Sequence, residues 1–143
     1  MNDDAHRLSA AALLLRIGLG AVWIWSAVVS EFVAPRSVSL GLLEAVGFSG
    51  DLAVVLLHGA SALDLLLGVL TLVGWFTRPV ALAQAALVLG YSLLLVGRVP
   101  ELWAHPFAPI GKNIALVCGA LALAATGGGR WAIDALPAKG EKR

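Results

Sequence analysis

The sequence predicts an all-α integral membrane protein, a bundle of four transmembrane helices, and three observations carry that prediction. The 143-residue chain is 59% apolar and 13% charged, with a mean hydropathy of +0.89, far from the composition of soluble domains. Its charged residues gather between apolar runs instead of being spread through them. The runs approach the roughly 20 helical residues needed to cross a hydrocarbon core about 30 Å thick.

The first span is Leu8 to Val29, interrupted only by Arg16. It is preceded by Met1-Asn2-Asp3-Asp4-Ala5-His6-Arg7, acidic where a signal peptide is basic, and no small-residue cleavage site follows, so the span is expected to stay in the mature protein. From Ser37 to Phe48, apolar residues at Val38, Leu42 and Val46 and an N-cap at Ser37 suggest a short interfacial helix between the first two spans. The second span, 52–75, is broken by His58 and Asp64 alone, and the Thr77-Arg78-Pro79 turn leads into the third, 80–96. These two are expected to form a tight hairpin. Because Ile114 to Thr126 is short for a span, the fourth is started near Pro109, which suits a first helical turn, giving 109–126 with Lys112 and Asn113 at the membrane edge. The Gly127-Gly128-Gly129 run then ends the helix and releases a tail, 127–143. Residues 1–143 form a single membrane domain without an internal repeat.

Arg7, Arg78, Arg130, Lys139, Lys142 and Arg143 fall on the side of the termini, against Arg36, Arg98 and Lys112 on the other, so both termini are expected in the cytoplasm. Trp103 and Trp131 read as interfacial anchors. A net charge of +1 without a basic stripe argues against a nucleic-acid partner. Cys118 is the only cysteine and lies in an apolar run, which removes disulfides and CxxC redox chemistry. Three dispersed histidines do not make a zinc set or a bis-histidine haem site, and no hydrolytic triad or phosphate loop is present.

An ionisable side chain within a span is costly, so Arg16 and Asp64 are the most informative residues. Each lies about 12 Å from the cytoplasmic end of its apolar run at 1.5 Å per residue, which predicts an intramembrane ion pair. Ser9, Ala12, Arg16, Gly20, Trp23, Ala27 and Ser30 share one face of the first helix; Ser61, Asp64, Gly68 and Thr71 share one of the second, with His58 a turn further on. Such a pair either fixes helix register or lines a polar pocket, and in both cases losing one partner should harm the bundle more than replacing both with apolar residues. Trp23, His58, Ser61, Asp64 and Tyr91 are the candidate ligand-binding residues, with Gln84 seven residues before Tyr91 as a further interior donor. On the outer side, Glu31, His105, Lys112 and Asn113, with Arg36, form a candidate polar cluster, in which Lys112 at a helix start calls for an acid such as Glu31.

Arg16-Ile17-Gly18-Leu19-Gly20, Asp64-Leu65-Leu66-Leu67-Gly68, Arg78, the segment His105-Pro106-Phe107-Ala108-Pro109-Ile110-Gly111-Lys112-Asn113, and Arg130-Trp131-Ala132-Ile133-Asp134 together resemble the DoxX-like family of small membrane proteins. The His-Pro-Phe to Lys-Asn stretch is the most specific part. The resemblance implies a four-helix protein of the bacterial inner membrane, related to the DoxD and DoxX subunits of thiosulfate:quinone oxidoreductase, and a quinone-linked or redox-accessory role. The resemblance also implies glutamate in many relatives where Asp64 stands, so the carboxylate is kept on a shorter arm.

Three functions fit these residues. The chain is a redox-associated subunit binding a quinone-like flat ligand near Trp23, His58, Asp64 and Tyr91, whose chemistry belongs to that cofactor and to a partner redox protein. Or it binds or transports a small solute as a homo-oligomer, with Arg16 and Asp64 as its site. Or it is a purely structural subunit or stability factor with the lipid bilayer as its partner and no ligand. A subunit or accessory protein is favoured over a self-sufficient enzyme, since the sequence supplies no thiol pair, haem pair or metal set.

Overall fold

A computed structural model describes residues 2–100 and 111–137. Helix α1 (Asn2–Val28) begins with Asp3 and Asp4 in its first turn, where acids complement the helix dipole. It runs on as one π turn, Val29–Val33, whose end is marked by the Ala34 N–H on the Val29 carbonyl at 2.8 Å. Helix α2 (Arg36–Ala45) occupies the place of the expected interfacial helix. Its cap position is Pro35, so Ser37 is not the N-cap and instead sits inside the first turn. Helix α3 (Gly50–Val73) stops at Gly74, a left-handed residue with φ +69° that a side chain would strain. Two residues later Phe76 adopts φ +50°, and α4 (Thr77–Arg98) starts at once. Helix α5 (Asn113–Thr126) ends at Gly127, φ +75°, and a single 3-10 turn, Ile133–Ala135, follows.

The described residues contain helices and turns and no strand. Three helical segments, Asp3–Val33, Gly50–Val73 and Thr77–Arg98, are long and apolar enough to cross a membrane. The 14 residues of α5 are as apolar but rise only about 21 Å, which makes it a shorter fourth helix. The expected start of the fourth span, at Pro109, lies outside the described residues, as do His105 and Trp103.

Packing departs from the expected order. Helix α1 packs most extensively on α3 and α4 on α5, with α1 against α5 joining the two pairs; α3 and α4, though joined by a short turn, touch only lightly. The expected tight hairpin of the second and third spans is therefore a tight turn between diverging helices. The α1–α3 pairing has a physical cause in two glycines. A Cβ on Gly20 would stand 3.0 Å from the Gly68 carbonyl oxygen, and one on Gly68 would stand 3.0 Å from the Gly20 oxygen, so the backbones approach as only glycines permit. Around this crossing, Ala12, Leu19, Ala81, Ala85, Ala120 and Leu123 form one buried cluster and Trp23, Leu67, Val80 and Val88 another. Large apolar side chains such as Leu14, Ile17, Trp25 and Leu93 point outward, the pattern of a helix bundle solvated by lipid.

Candidate functional site

The α1 face of small and polar residues packs inward, with Ala12, Arg16, Gly20, Trp23 and Ala27 buried. Arg16, 2% exposed, meets backbone carbonyls and not Asp64. Its Nε donates to the Thr71 carbonyl at 3.0 Å, one Nη to the Gly128 carbonyl at 3.2 Å and the other to the Leu72 carbonyl. Thr71 and Leu72 end α3, so the guanidinium satisfies carbonyls at the negative end of a helix dipole. The expected Arg16–Asp64 ion pair does not form, and the glycine crossing explains why. Arg16 precedes Gly20 by one turn and Asp64 precedes Gly68 by one turn; on antiparallel helices these steps run in opposite directions and separate the two by about 12 Å along the axis.

Arg16 is the centre of a knot at the α3–α4 turn. Thr71 Oγ1 accepts from Gln84 Nε2 at 2.9 Å and donates to the Leu67 carbonyl at 2.8 Å, which carries the polar contacts across to α4. Asp134, beyond α5, folds back on the turn: its N–H donates to the Gly74 carbonyl at 3.0 Å, and its carboxylate accepts the N–H groups of Phe76 and Thr77, each at 2.8 Å. Asp134 is thus a remote cap for α4, supplied from another part of the chain. Burial pushes its carboxyl up, but the Thr77 and Phe76 hydrogen bonds and the charge of Arg16 outweigh that and hold it below the ordinary carboxylate range. The tail is consequently not released after the glycine run, at least through Pro137; Gly128 and Asp134 tie it to the bundle. Trp131 is half-exposed with the Arg130 guanidinium 5.0 Å above its ring.

Where α3 and α4 diverge, a groove opens. It comprises two adjoining hollows of about 410 and 350 Å³ that share Trp23, Ala60, Asp64 and Tyr91. Leu63, Ala86, Leu87, Gly90 and Leu94 line the first; Val22, Ser26, Val88 and Leu116 line the second. Trp23 is buried at its base and Tyr91 is half-exposed at its rim. Asp64 Oδ2 accepts the Ser26 hydroxyl at 2.9 Å, the one hydrogen bond it receives from the described residues. Of the expected ligand set, the structure brings together Trp23, Asp64 and Tyr91.

His58 and Ser61 line a different hollow, of about 310 Å³, with Ala27, Val28, Glu31, Phe32, Ala62 and Leu65. They leave the first set because α3 turns them toward the end of α1, while Asp64 meets Ser26 of α1 and opens on the groove beside α4. Ser61 is buried and donates to the Leu57 carbonyl at 2.9 Å. His58 Nδ1 is 2.9 Å from both Glu31 oxygens, and its Nε2 is 3.0 Å from an Arg36 nitrogen. The expected outer cluster divides accordingly: Glu31 serves His58 and is not the acid at Lys112, Asn113 Nδ2 donates to Ser92 Oγ at 2.8 Å, and His105 lies outside the described residues.

Ser26, Gln84's contact with Thr71, and Asp134 enlarge the sequence reading. Ser26 had a signal, since it lies three residues after Trp23 and one turn from it. Asp134 had one in the Arg-Trp-x-x-Asp spacing after a helix-ending glycine run, although nothing there names its partner.

In a family comparison the DoxX-like family model matches residues 20–121, well over half of the chain. The chain belongs to the DoxX-like family. The matched segment contains Gly20, Gly68 and the whole Trp23–Asp64–Tyr91 groove, whereas Arg16 and Asp134 lie beyond its ends. No curated protein and no solved structure gives a match. Family membership together with three apolar helices of spanning length makes this a membrane protein.

Proposed function

We propose that this DoxX-like protein binds a flat, largely apolar carbonyl compound of the quinone class in the groove between α3 and α4, and serves as the membrane subunit of a redox system. The observation that carries the reading is the composition of the groove: an aromatic floor and rim, Trp23 and Tyr91, apolar walls, and a single carboxyl group, Asp64, braced by Ser26. Ligand sites of this size are mostly apolar with a few polar groups that fix orientation. Tyr91 and a protonated Asp64 can each donate to a ring carbonyl, and stacking on Trp23 holds the ring. Reduction of a quinone to its quinol takes two electrons and two protons; the electrons come from a partner redox protein, and the groove contributes binding, orientation and proton donors. In this reading the chain sits in a bacterial inner membrane with both termini, and therefore the Arg16 knot, on the cytoplasmic side.

Mass spectrometry of lipid extracts from the gently purified protein tests it, with co-purified subunits identified in the same preparation. A stoichiometric quinone in wild-type protein that is lost on Asp64→Ala and Tyr91→Phe is the expected result. A wild-type preparation with neither quinone nor redox partner overturns it, and solute flux in proteoliposomes then becomes the measurement that separates a transport role from a structural one.

A further inference from the structure

We infer that Glu31, His58 and Arg36 form a proton-operated fastener that holds the start of α2 against α3 while His58 is neutral and releases it when His58 is protonated. The site is separate from the groove and stands or falls without it. An arginine nitrogen can only donate, so the 3.0 Å contact to Nε2 makes that atom the acceptor and leaves it without a proton. The proton of the neutral ring is then on Nδ1, where it is shared by the two Glu31 oxygens at 2.9 Å. One imidazole in one tautomer thereby joins three pieces of chain: the π turn through Glu31, α2 through its first residue Arg36, and α3 through His58 itself.

Adding a proton to Nε2 turns the acceptor into a donor and places a cation against the guanidinium, so the Arg36 contact is lost and repulsion replaces it. The Glu31 contact is strengthened by the same proton, since it becomes an ion pair. Among the described residues the charged groups facing His58 are Glu31 from the π turn and Arg36 from α2, and Ser61, one turn along α3, adds only a hydroxyl. Acidification therefore moves the allegiance of α3 wholly to the π turn. Helix α2 has no buried residue, which leaves it little else to resist release at its first turn. The π turn is what brings Glu31 to the ring, because one extra residue in the turn rotates the side chains that follow it, and such turns recur at functional positions.

Hydrogen–deuterium exchange of the full-length protein in lipid nanodiscs, read on peptides covering residues 36–45 and corrected for the intrinsic pH dependence of exchange, tests this. Between about pH 8 and about pH 5, exchange in the first turn of α2 should rise roughly three- to ten-fold. His58→Gln, whose side chain can still accept from Arg36 and donate to Glu31 at both pH values, should abolish the rise. Arg36→Met, which offers Nε2 no donor, should hold exchange at the faster rate throughout, and Glu31→Gln should leave the rise in place. Peptides from α4 in the same spectra report that the bundle is intact in each variant. A flat wild-type profile, or a rise that survives His58→Gln, overturns the inference.

Discussion

The two ends of the α3–α4 unit treat charged groups in opposite ways, although at the turn the buried Thr77 Oγ1 and Gln84 Oε1 have no partner among the described residues. At the turn, the Arg16 guanidinium is enclosed by the carbonyls of Thr71, Leu72 and Gly128, and the Asp134 carboxylate by two backbone N–H groups. In the groove where the same helices diverge, Asp64 has a single serine for company and open space beside two aromatic rings. Buried polar groups that are fully satisfied hold structure, whereas one left under-satisfied in an apolar hollow is available to a ligand. The comparison therefore separates charges enclosed by the fold from one left beside an open hollow, even though both kinds appear in the sequence simply as charges in apolar runs.

If that division is right, stability should respond steeply at the knot and weakly in the groove. The largest effect is expected from Arg16→Ala, which strips the donors from three carbonyls in an apolar interior and should cost about 3 kcal/mol. Arg16→Lys should recover less than half of this, because an ammonium cannot reproduce a planar fork of donors. Unfolding of the detergent-solubilised protein, followed by circular dichroism with heat or SDS, measures both. Next comes Gly74→Ala. Its φ of +69° strains any side chain, and the added Cβ would stand 2.6 Å from the Ala132 Cβ and from the Arg16 guanidinium carbon, so a loss of about 2 kcal/mol is expected in the same assay.

Asp134→Ala removes a helix cap at an exposed position and should cost about 1 kcal/mol. The pH dependence gives this prediction a second edge. The folded-state carboxyl is held below its ordinary value, so its contribution is complete above the unfolded pKa, near 4, and disappears as the pH falls through the lower folded value. Wild-type and variant stabilities should accordingly differ at pH 7 and converge below about pH 4, as read from unfolding midpoints across that range. A gap that persists in acid would mean that Asp134 acts through packing and not through its charge.

Much of this was legible in the sequence. Apolar run lengths locate α1, α3 and α4 to within a few residues at most boundaries, and the run from Gly127 marks where α5 stops, whereas the span read to Trp75 passes over Gly74, where α3 ends. The inward face of α1 follows from helical spacing, and of the five expected ligand residues Trp23, Asp64 and Tyr91 come together while His58 and Ser61 do not. What spacing along one helix cannot supply is the register between two. Depth counted from the ends of apolar runs put Arg16 level with Asp64, whereas the close contact of Gly20 with Gly68 fixes a crossing that places Arg16 beside Leu72 and Asp64 beside Ser26. The lateral order of the helices was equally invisible: a short loop joins α3 to α4, but interlocking small residues, not loop length, decide which helices pack. The return of the tail to the turn depends on contacts between residues more than fifty positions apart, as in Asp134 with Phe76 and Thr77, for which local pattern carries no information.

The smallest effect is expected at Asp64, and it tests the division most sharply. Asp64→Asn keeps an oxygen for the Ser26 hydroxyl and nearly the same volume, so stability should stay within about 0.5 kcal/mol of wild type while any ligand that depends on the carboxyl is lost. An ion pair between Arg16 and Asp64 would give a different result. Breaking it from either side would leave a buried charge unpaired, and the double variant would recover part of the loss. With the two residues about 12 Å apart along the helix axes and sharing no partner, the losses in Arg16→Ala, Asp64→Asn and the double variant should instead add to within about 0.5 kcal/mol. Coupling above about 1 kcal/mol in that double-mutant cycle would join the knot to the groove as one electrostatic unit, and the separation of structural from functional polarity drawn here would fail.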